Sequence, residues 1–298
     1  MKSSRIFNFL AAITMTVLLS LTAVSNAHAD SLLWRVEQGG VHVGYVFGTM
    51  HVDDARVIAL PQPVFDALDA STQFVAEISL EPAAMAGMLG RMFYRDGTGL
   101  ADHLTEEQYR QAITLLEKRG MPEYSAKYLK LWAAYTVLIM PAPTTGQFVD
   151  LLLHQRAQSS GARTRALETV DEQLDLFESL GIDQQRELVI SVLDDPDVVA
   201  EEMEQMKQIY MSNDLRALER FSEQHMGDLS GELKDWFENA MVADRNRLMV
   251  ERLLPMLEEH DGKTFVAVGA LHLPASHGLV NGLREQGYTL RPINISWE

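Results

Sequence analysis

Apolar residues fall in short continuous runs near both ends of the chain and at helical spacing between them. Residues 32–36 read as a strand, Glu37-Gln38-Gly39-Gly40 as a turn and 41–47 as the returning strand, so a hairpin is expected first. Residues 61–70 predict a short helix with Pro61 near its first turn, and 74–80 (FVAEISL) a further strand. The middle is helical in pattern. A Met-rich helix is predicted over 81–94. The next runs from Thr105, its N-cap with Gln108 as capping-box partner, to Gly120. An apolar helix over 125–140 ends at Pro141 and Pro143, another covers 146–159, and 182–260 is an acidic helical run. Residues 164–167 read as a short buried strand within this stretch. Residues 264–268 predict a strand, 275–286 a helix closed by Gly287, and 288–293 a final strand. The fold class expected is α/β, α+β-like: a central mixed β-sheet from N- and C-terminal parts, with a large helical insertion at about 81–260.

Charge narrows the function. The 298 residues carry 25 Lys+Arg against 42 Asp+Glu, a net charge of −17, which argues against nucleic acid and against adhesion to an anionic membrane. There is no cysteine, so disulfides, thiol nucleophiles and thiolate metal sites are excluded, and any metal must be held by His, Asp or Glu. Lys2 and Arg5, the apolar stretch over 7–24 and Ala27-His28-Ala29 read as a secretory signal cut before Asp30. Its loss takes the charge to −19 and leaves 30–298 as a single periplasmic or secreted domain with no membrane partner. Most of the acidic excess lies on the helical middle.

One pattern occurs twice. Tyr45-Val46-Phe47-Gly48-Thr49-Met50-His51 and Val266-Ala267-Val268-Gly269-Ala270-Leu271-His272 are each an apolar strand running into Gly-x-x-His. Each histidine is thereby carried on a loop at a strand's carboxyl end, the edge where α/β sheets bind ligands. A single such motif means little; if the two strands are neighbours, both imidazoles converge. Glu77 sits among Val75, Ala76, Ile78 and Leu80, where an unpaired carboxylate would be costly and a cation would relieve it. His51, His272 and Glu77 form a donor set suited to a divalent ion with positions open for water. Walker, Gly-x-Gly-x-x-Gly, Gly-x-Ser-x-Gly and His-Glu-x-x-His signatures are absent, which disfavours nucleotide enzymes and serine hydrolases. By spacing alone, Glu172 and Gln173 read as helix-start residues, and Arg245 as part of a solvated helix face that could otherwise neutralise Glu77.

Taken in order, Leu33-Trp34-Arg35-Val36, Phe47-Gly48-Thr49-Met50-His51, Val75-Ala76-Glu77, Leu167-Glu168-Thr169 with Glu172-Gln173-Leu174, Arg245-Asn246 and Val268 to Pro274 resemble the TraB/GumN (YbaP-like) family. That family is similar to the TIKI metalloproteases, which depend on Mn²⁺ or Co²⁺, and belongs with the erythromycin-esterase and ChaN-like superfamily, which includes a haem-binding protein. The resemblance implies an EreA/ChaN-like fold, metal or catalytic roles for His51, Glu77 and His272, and supporting roles for Glu168, Arg245 and Asn246. The second motif departs from the family at Ala275, where a glycine often follows Pro274. The expectation is an exported metal-dependent hydrolase (Mn, Co or Zn) acting on a peptide or protein substrate. In it Glu168 or Glu77 is the general base and Arg245 stabilises developing negative charge. The alternative is a non-enzymatic periplasmic binding protein for haem, metal or peptide.

Overall fold

The computed structural model describes residues 31–225, 229–259, 262–274 and 277–297. The signal expected over 1–29 and the start of the helix expected over 275–286 lie outside them. Strands β1 (Leu33–Gln38) and β2 (Val41–Thr49) form the opening hairpin, with Leu33 opposite Phe47. Its turn is Gly39-Gly40 at φ 57° and 82°, left-handed values that a two-residue hairpin loop demands and that glycine adopts freely. With β3 (Gln73–Ala76), β4 (Arg163–Ala166), β5 (Thr264–Gly269) and β6 (Thr289–Ile293), these build one six-stranded mixed sheet in the order β4-β3-β5-β2-β1-β6. The pairs β4/β3, β3/β5 and β5/β2 are parallel, whereas β1 is antiparallel to both β2 and β6.

This order serves the site. Four parallel strands end on one edge, and β5 from the far end of the sequence lies between β3 and β2. The five residues from Thr264 to Val268 are buried, as a central parallel strand covered on both faces requires. Phe265 packs its ring against Phe47 and Phe74, 6.2 and 6.3 Å between centroids, and ties the three strands together. The helical middle builds a second apolar cluster around Leu100, Leu116, Leu129, Trp132, Leu138 and Val189. Its helix Glu106–Lys118 begins with the expected capping box, Thr105 and Gln108 exchanging hydrogen bonds of 3.2 and 3.0 Å. No helix among the described residues is long and apolar enough to cross a membrane.

Several expectations are corrected. The strand expected over 74–80 stops at Ala76, because beyond it the Glu77 carbonyl turns to accept from the backbone N–H of Glu168, 2.7 Å, and of Leu167, 3.1 Å. The strand at 164–167 is not buried: β4 lies at the sheet edge, with Arg163 and Arg165 exposed. Because β4 belongs to the main sheet, the helical middle comprises two stretches rather than one. The helix expected over 125–140 divides into Glu123–Ala126 and Leu131–Leu138. Between them Lys130 N–H donates to the Met92 carbonyl at 2.8 Å, and Leu129 bridges to Phe93. That pairing with a distant segment overrides local helix preference. The helix expected over 146–159 begins at Val149.

Candidate functional site

β2 and β5 are parallel neighbours in register, Gly48 beside Val268 and Thr49 beside Gly269, so the two Gly-x-x-His segments leave the sheet side by side. Glu77 follows β3 and Glu168 follows β4 on the same edge. Arg245 and Asn246 arrive from the helix Asp244–Leu257, which continues a π-helical stretch over Trp236–Ala243. Such wider turns recur where a helix re-aims functional side chains. Glu77, Glu168, Arg245, Asn246 and His272 are all buried, between 1% and 7% exposed.

Arg245 is the hub. Its Nη2 donates to Glu77 Oε2 at 2.6 Å and to Glu168 Oε2 at 2.7 Å, and its Nε reaches both Glu168 oxygens at 3.0 and 3.1 Å. Its Nη1 lies 3.1 Å from His272 Nε2. His272 Nδ1 lies 2.7 Å from Asn246 Oδ1. An amide oxygen accepts and a guanidinium donates, so the ring is neutral with its proton on Nδ1 and its lone pair turned to Arg245. Glu77 Oε1 accepts from Gly269 N–H at 2.5 Å, and Gln173 Nε2 donates to Oε2 at 3.1 Å. Burial alone would raise the Glu77 carboxyl. The facing His272 ring, the charges of Arg245 and His51 and the Gly269 N–H outweigh it and hold the group below the usual carboxylate range. Burial pushes His272 down to about 4, with Arg245 and His51 adding to the fall.

His51 stands apart from this buried core. Its side chain is 49% exposed, and its Nδ1 approaches the buried Asp150 Oδ2 at 2.7 Å. No donor is well aligned with that oxygen, so the approach is above all a charge contact. Asp150 Oδ1 accepts from Thr49 Oγ1 at 2.8 Å. The Asp150 charge pushes His51 up to about 9, with a further contribution from Glu77. The two histidines, alike in sequence, are thus a solvent-facing imidazolium and a buried neutral ring.

Asp150 was not among the expected site residues. Its signal was present: in Phe148-Val149-Asp150-Leu151-Leu152-Leu153 it is a lone carboxylate among apolar residues, the anomaly that marks Glu77. Glu172 closes a capping box with Thr169 and pairs with Arg252 at 2.7 Å, as its position at a helix start suggests. An open hollow of about 750 Å³ lies beside Glu168, lined also by Ser79, Gly87, Arg91, Thr169 and Arg252.

The expected metal donors do not fit an ion as they are arranged. Both Glu77 oxygens and both Glu168 oxygens accept N–H groups, and both His272 nitrogens are engaged. Among the described residues no group of three His, Asp or Glu is placed to hold a metal. The cation that relieves Glu77 is the Arg245 guanidinium.

The close seat of Glu77 against Gly269 gives a prediction. A Cβ at Gly269 would stand 3.1 Å from Glu77 Oε1 and 3.5 Å from His272 Cδ2. Gly269→Ala is therefore expected to push the carboxylate off the Gly269 N–H and to lower unfolding free energy by about 1–3 kcal/mol. A urea titration unchanged by the substitution would refute that seat.

The sequence profile of the TraB/PrgY/gumN family matches residues 32–292, and the chain belongs to that family. Among curated proteins it is similar to Metalloprotease TIKI2 of Danio rerio, 24% identical over 332 residues covering 92% of this chain and 64% of that protein. It is also similar to Metalloprotease TIKI2 of Xenopus tropicalis, 24% identical, covering 89% and 60%. Metalloprotease TIKI1 of Danio rerio is 23% identical, covering 90% and 64%. The chain thus spans less than two thirds of the length of these relatives. No solved structure matches it.

Proposed function

We propose that this member of the TraB/PrgY/gumN family is an exported hydrolase that cleaves amide bonds of peptides or proteins at the carboxyl edge of β2, β5, β3 and β4. The observation that carries the reading is the half-exposed His51, drawn to a buried Asp150 beside an ion-paired core of Glu77, Glu168, Arg245 and His272. A histidine restrained at Nδ1 by a carboxylate exchanges its proton with substrate through Nε2, the arrangement general acid–base catalysis uses. Relatives named metalloproteases supply the substrate class. The leader read over residues 1–29 supplies the export. The fold of the erythromycin-esterase and ChaN-like superfamily is part of the same proposal.

The roles follow from the charge states. With its proton held up to about 9, His51 is an imidazolium at neutral pH; as water adds to the amide carbonyl carbon and the C–N bond breaks, the ring gives its proton to the leaving nitrogen and takes up the proton the water releases. Asp150, oriented by Thr49, holds the ring and balances its charge. Arg245 and its two carboxylates fix the floor of the site. Glu168 reaches the open hollow, which gives an extended chain a place to lie.

The test is digestion of a peptide library by the chain from residue 30 onward. Cleavage is expected, and His51→Gln is expected to cut it by about 10²–10⁴-fold. Because the protonated ring is the working form, the wild-type rate should fall as pH rises through about 9. Equal cleavage by wild type and His51→Gln would overturn the reading.

A further inference from the structure

We infer that Arg245 is a resident cation, occupying with its guanidinium the place a divalent ion would take among Glu77, Glu168 and His272, so that the wild-type site takes up no metal. The inference concerns the charge of the site and does not depend on the hydrolase reading.

It rests on three independent features of the cluster. The first is space. A metal–nitrogen bond runs to about 2.0–2.1 Å along the ring's lone pair. On His272 that lone pair belongs to Nε2, and Arg245 Nη1 already lies in its path at 3.1 Å. An ion bonded there would stand where the guanidinium is. The other ring nitrogen gives no alternative, because Nδ1 carries the proton that Asn246 Oδ1 accepts at 2.7 Å.

The second is the state of the carboxylates. Glu168 meets Arg245 side-on through Nε and Nη2, a two-point contact that matches the planar fork of the guanidinium. Glu77 closes on the same Nη2 at 2.6 Å and turns its other oxygen to Gly269 N–H. Every oxygen of both groups already accepts at least one N–H.

The third is the remaining histidine. His51 Nδ1 is turned to Asp150 Oδ2 at 2.7 Å, and its half-exposed side chain stands outside the buried cluster of Glu77, Glu168, Arg245 and His272. The donor left over at the cluster is Asn246 Nδ2, buried and without a hydrogen-bond partner among the described residues. It is an N–H group, which calls for an acceptor rather than a cation.

Arg245 reaches the cluster from the helix Asp244–Leu257, whose Met249 and Leu253 are buried in the main core, so the guanidinium is delivered by a packed element. A chain whose relatives are named metalloproteases here carries the positive charge on its own Arg245 side chain.

The experiment measures bound metal rather than turnover. Wild-type protein and Glu77→Gln are incubated separately with Mn²⁺, Co²⁺ and Zn²⁺, desalted, and analysed for metal, with melting recorded with and without EDTA. Both proteins should retain the same amount of each ion, and EDTA should leave the wild-type melting temperature unchanged. An ion held at about one per chain by wild type and lost in Glu77→Gln, or a wild-type melting temperature lowered by EDTA, would overturn the inference. Arg245→Ala, where it folds, should gain about one Mn²⁺ per chain, detected by its electron paramagnetic resonance signal, because Glu77, Glu168 and the His272 lone pair then face vacated space. A folded Arg245→Ala protein that takes up no ion would also overturn it. Should that variant not fold, the comparison of wild type with Glu77→Gln decides alone.

Discussion

Arg245→Met is expected to lower the unfolding free energy at pH 7 by about 3–5 kcal/mol. Methionine approximates the length of the side chain and keeps its packing, so the loss falls on charge and hydrogen bonds. Arg245 is 5% exposed and donates to Glu77, Glu168 and the Met241 carbonyl. Its removal leaves two buried carboxylates with no shared cation, their charge going from −1 with the guanidinium to −2 without it. The pairing is not thereby worth that much to the fold. A buried ion pair against well-packed apolar groups can come out near neutral, and the large cost belongs to the stranded partners. Two corollaries separate these meanings. The triple variant Glu77→Gln, Glu168→Gln, Arg245→Met should recover most of the loss. Arg245→Met alone should lose less of its stability on mild acidification than wild type does, because Glu77, deprived of Arg245, takes up a proton more readily. Urea unfolding followed by circular dichroism measures all three proteins. A loss under about 1 kcal/mol in Arg245→Met would mean that water reaches the carboxylates and that the burial argument is wrong.

What the sequence announced and what it hid divide along the range of the interactions. Gly48-Thr49-Met50-His51 and Gly269-Ala270-Leu271-His272 were visible because an apolar run stopped by glycine is a local signal. Their side-by-side placement followed once the strands were taken as neighbours, and the parallel register of Thr49 with Gly269 gives it a geometry. Glu77 was visible as a charge among apolar neighbours. Its position was misjudged by the length of β3, since Ile78 and Leu80 continue the apolar pattern after the chain has left the ladder at Ala76. Arg245 was the opposite case. Asp244-Arg245-Asn246-Arg247 looks like an exposed helix face. Its burial is decided by Glu77 and Glu168, 168 and 77 residues away, which no local pattern reports. Asp150 stood out locally as a lone carboxylate among apolar residues, but its partners Thr49 and His51 lie about 100 residues earlier in the chain, which no local pattern reports. The difference between the two histidines, one charged and exposed and the other neutral and enclosed, is likewise a tertiary property of two nearly identical motifs.

That difference sets the second large effect, on stability against pH. His272 is held down to about 4 in the folded chain, against an ordinary value of 6.5. Between those values the unfolded chain binds a proton that the folded one does not, so unfolding gains as pH falls. The stability due to the neutral ring is fully present above about 6.5 and is lost as pH falls towards 4. With each pKa unit worth about 1.4 kcal/mol, that window carries about 3 kcal/mol. Glu77 acts in the same direction further down, because its folded value is depressed below the ordinary 4.5 and its contribution is lost only in stronger acid. His51 acts in the other direction at the alkaline end. Its raised value gives stability that is complete below 6.5 and is lost as pH rises through about 9, reduced by the water that reaches half of the ring. Many surface carboxylates also titrate in acid, so the informative quantity is a difference between proteins. His272→Gln, which keeps a polar side chain able to meet Asn246 or Arg245 but cannot be protonated, should be less stable than wild type at pH 7. It should match or exceed wild type near pH 4. Unfolding midpoints in urea at half-unit steps from pH 7 to pH 4 measure the convergence. Parallel curves for the two proteins would show that His272 takes up its proton inside the fold without penalty, and the neutral ring facing Arg245 would then be the wrong description of the site.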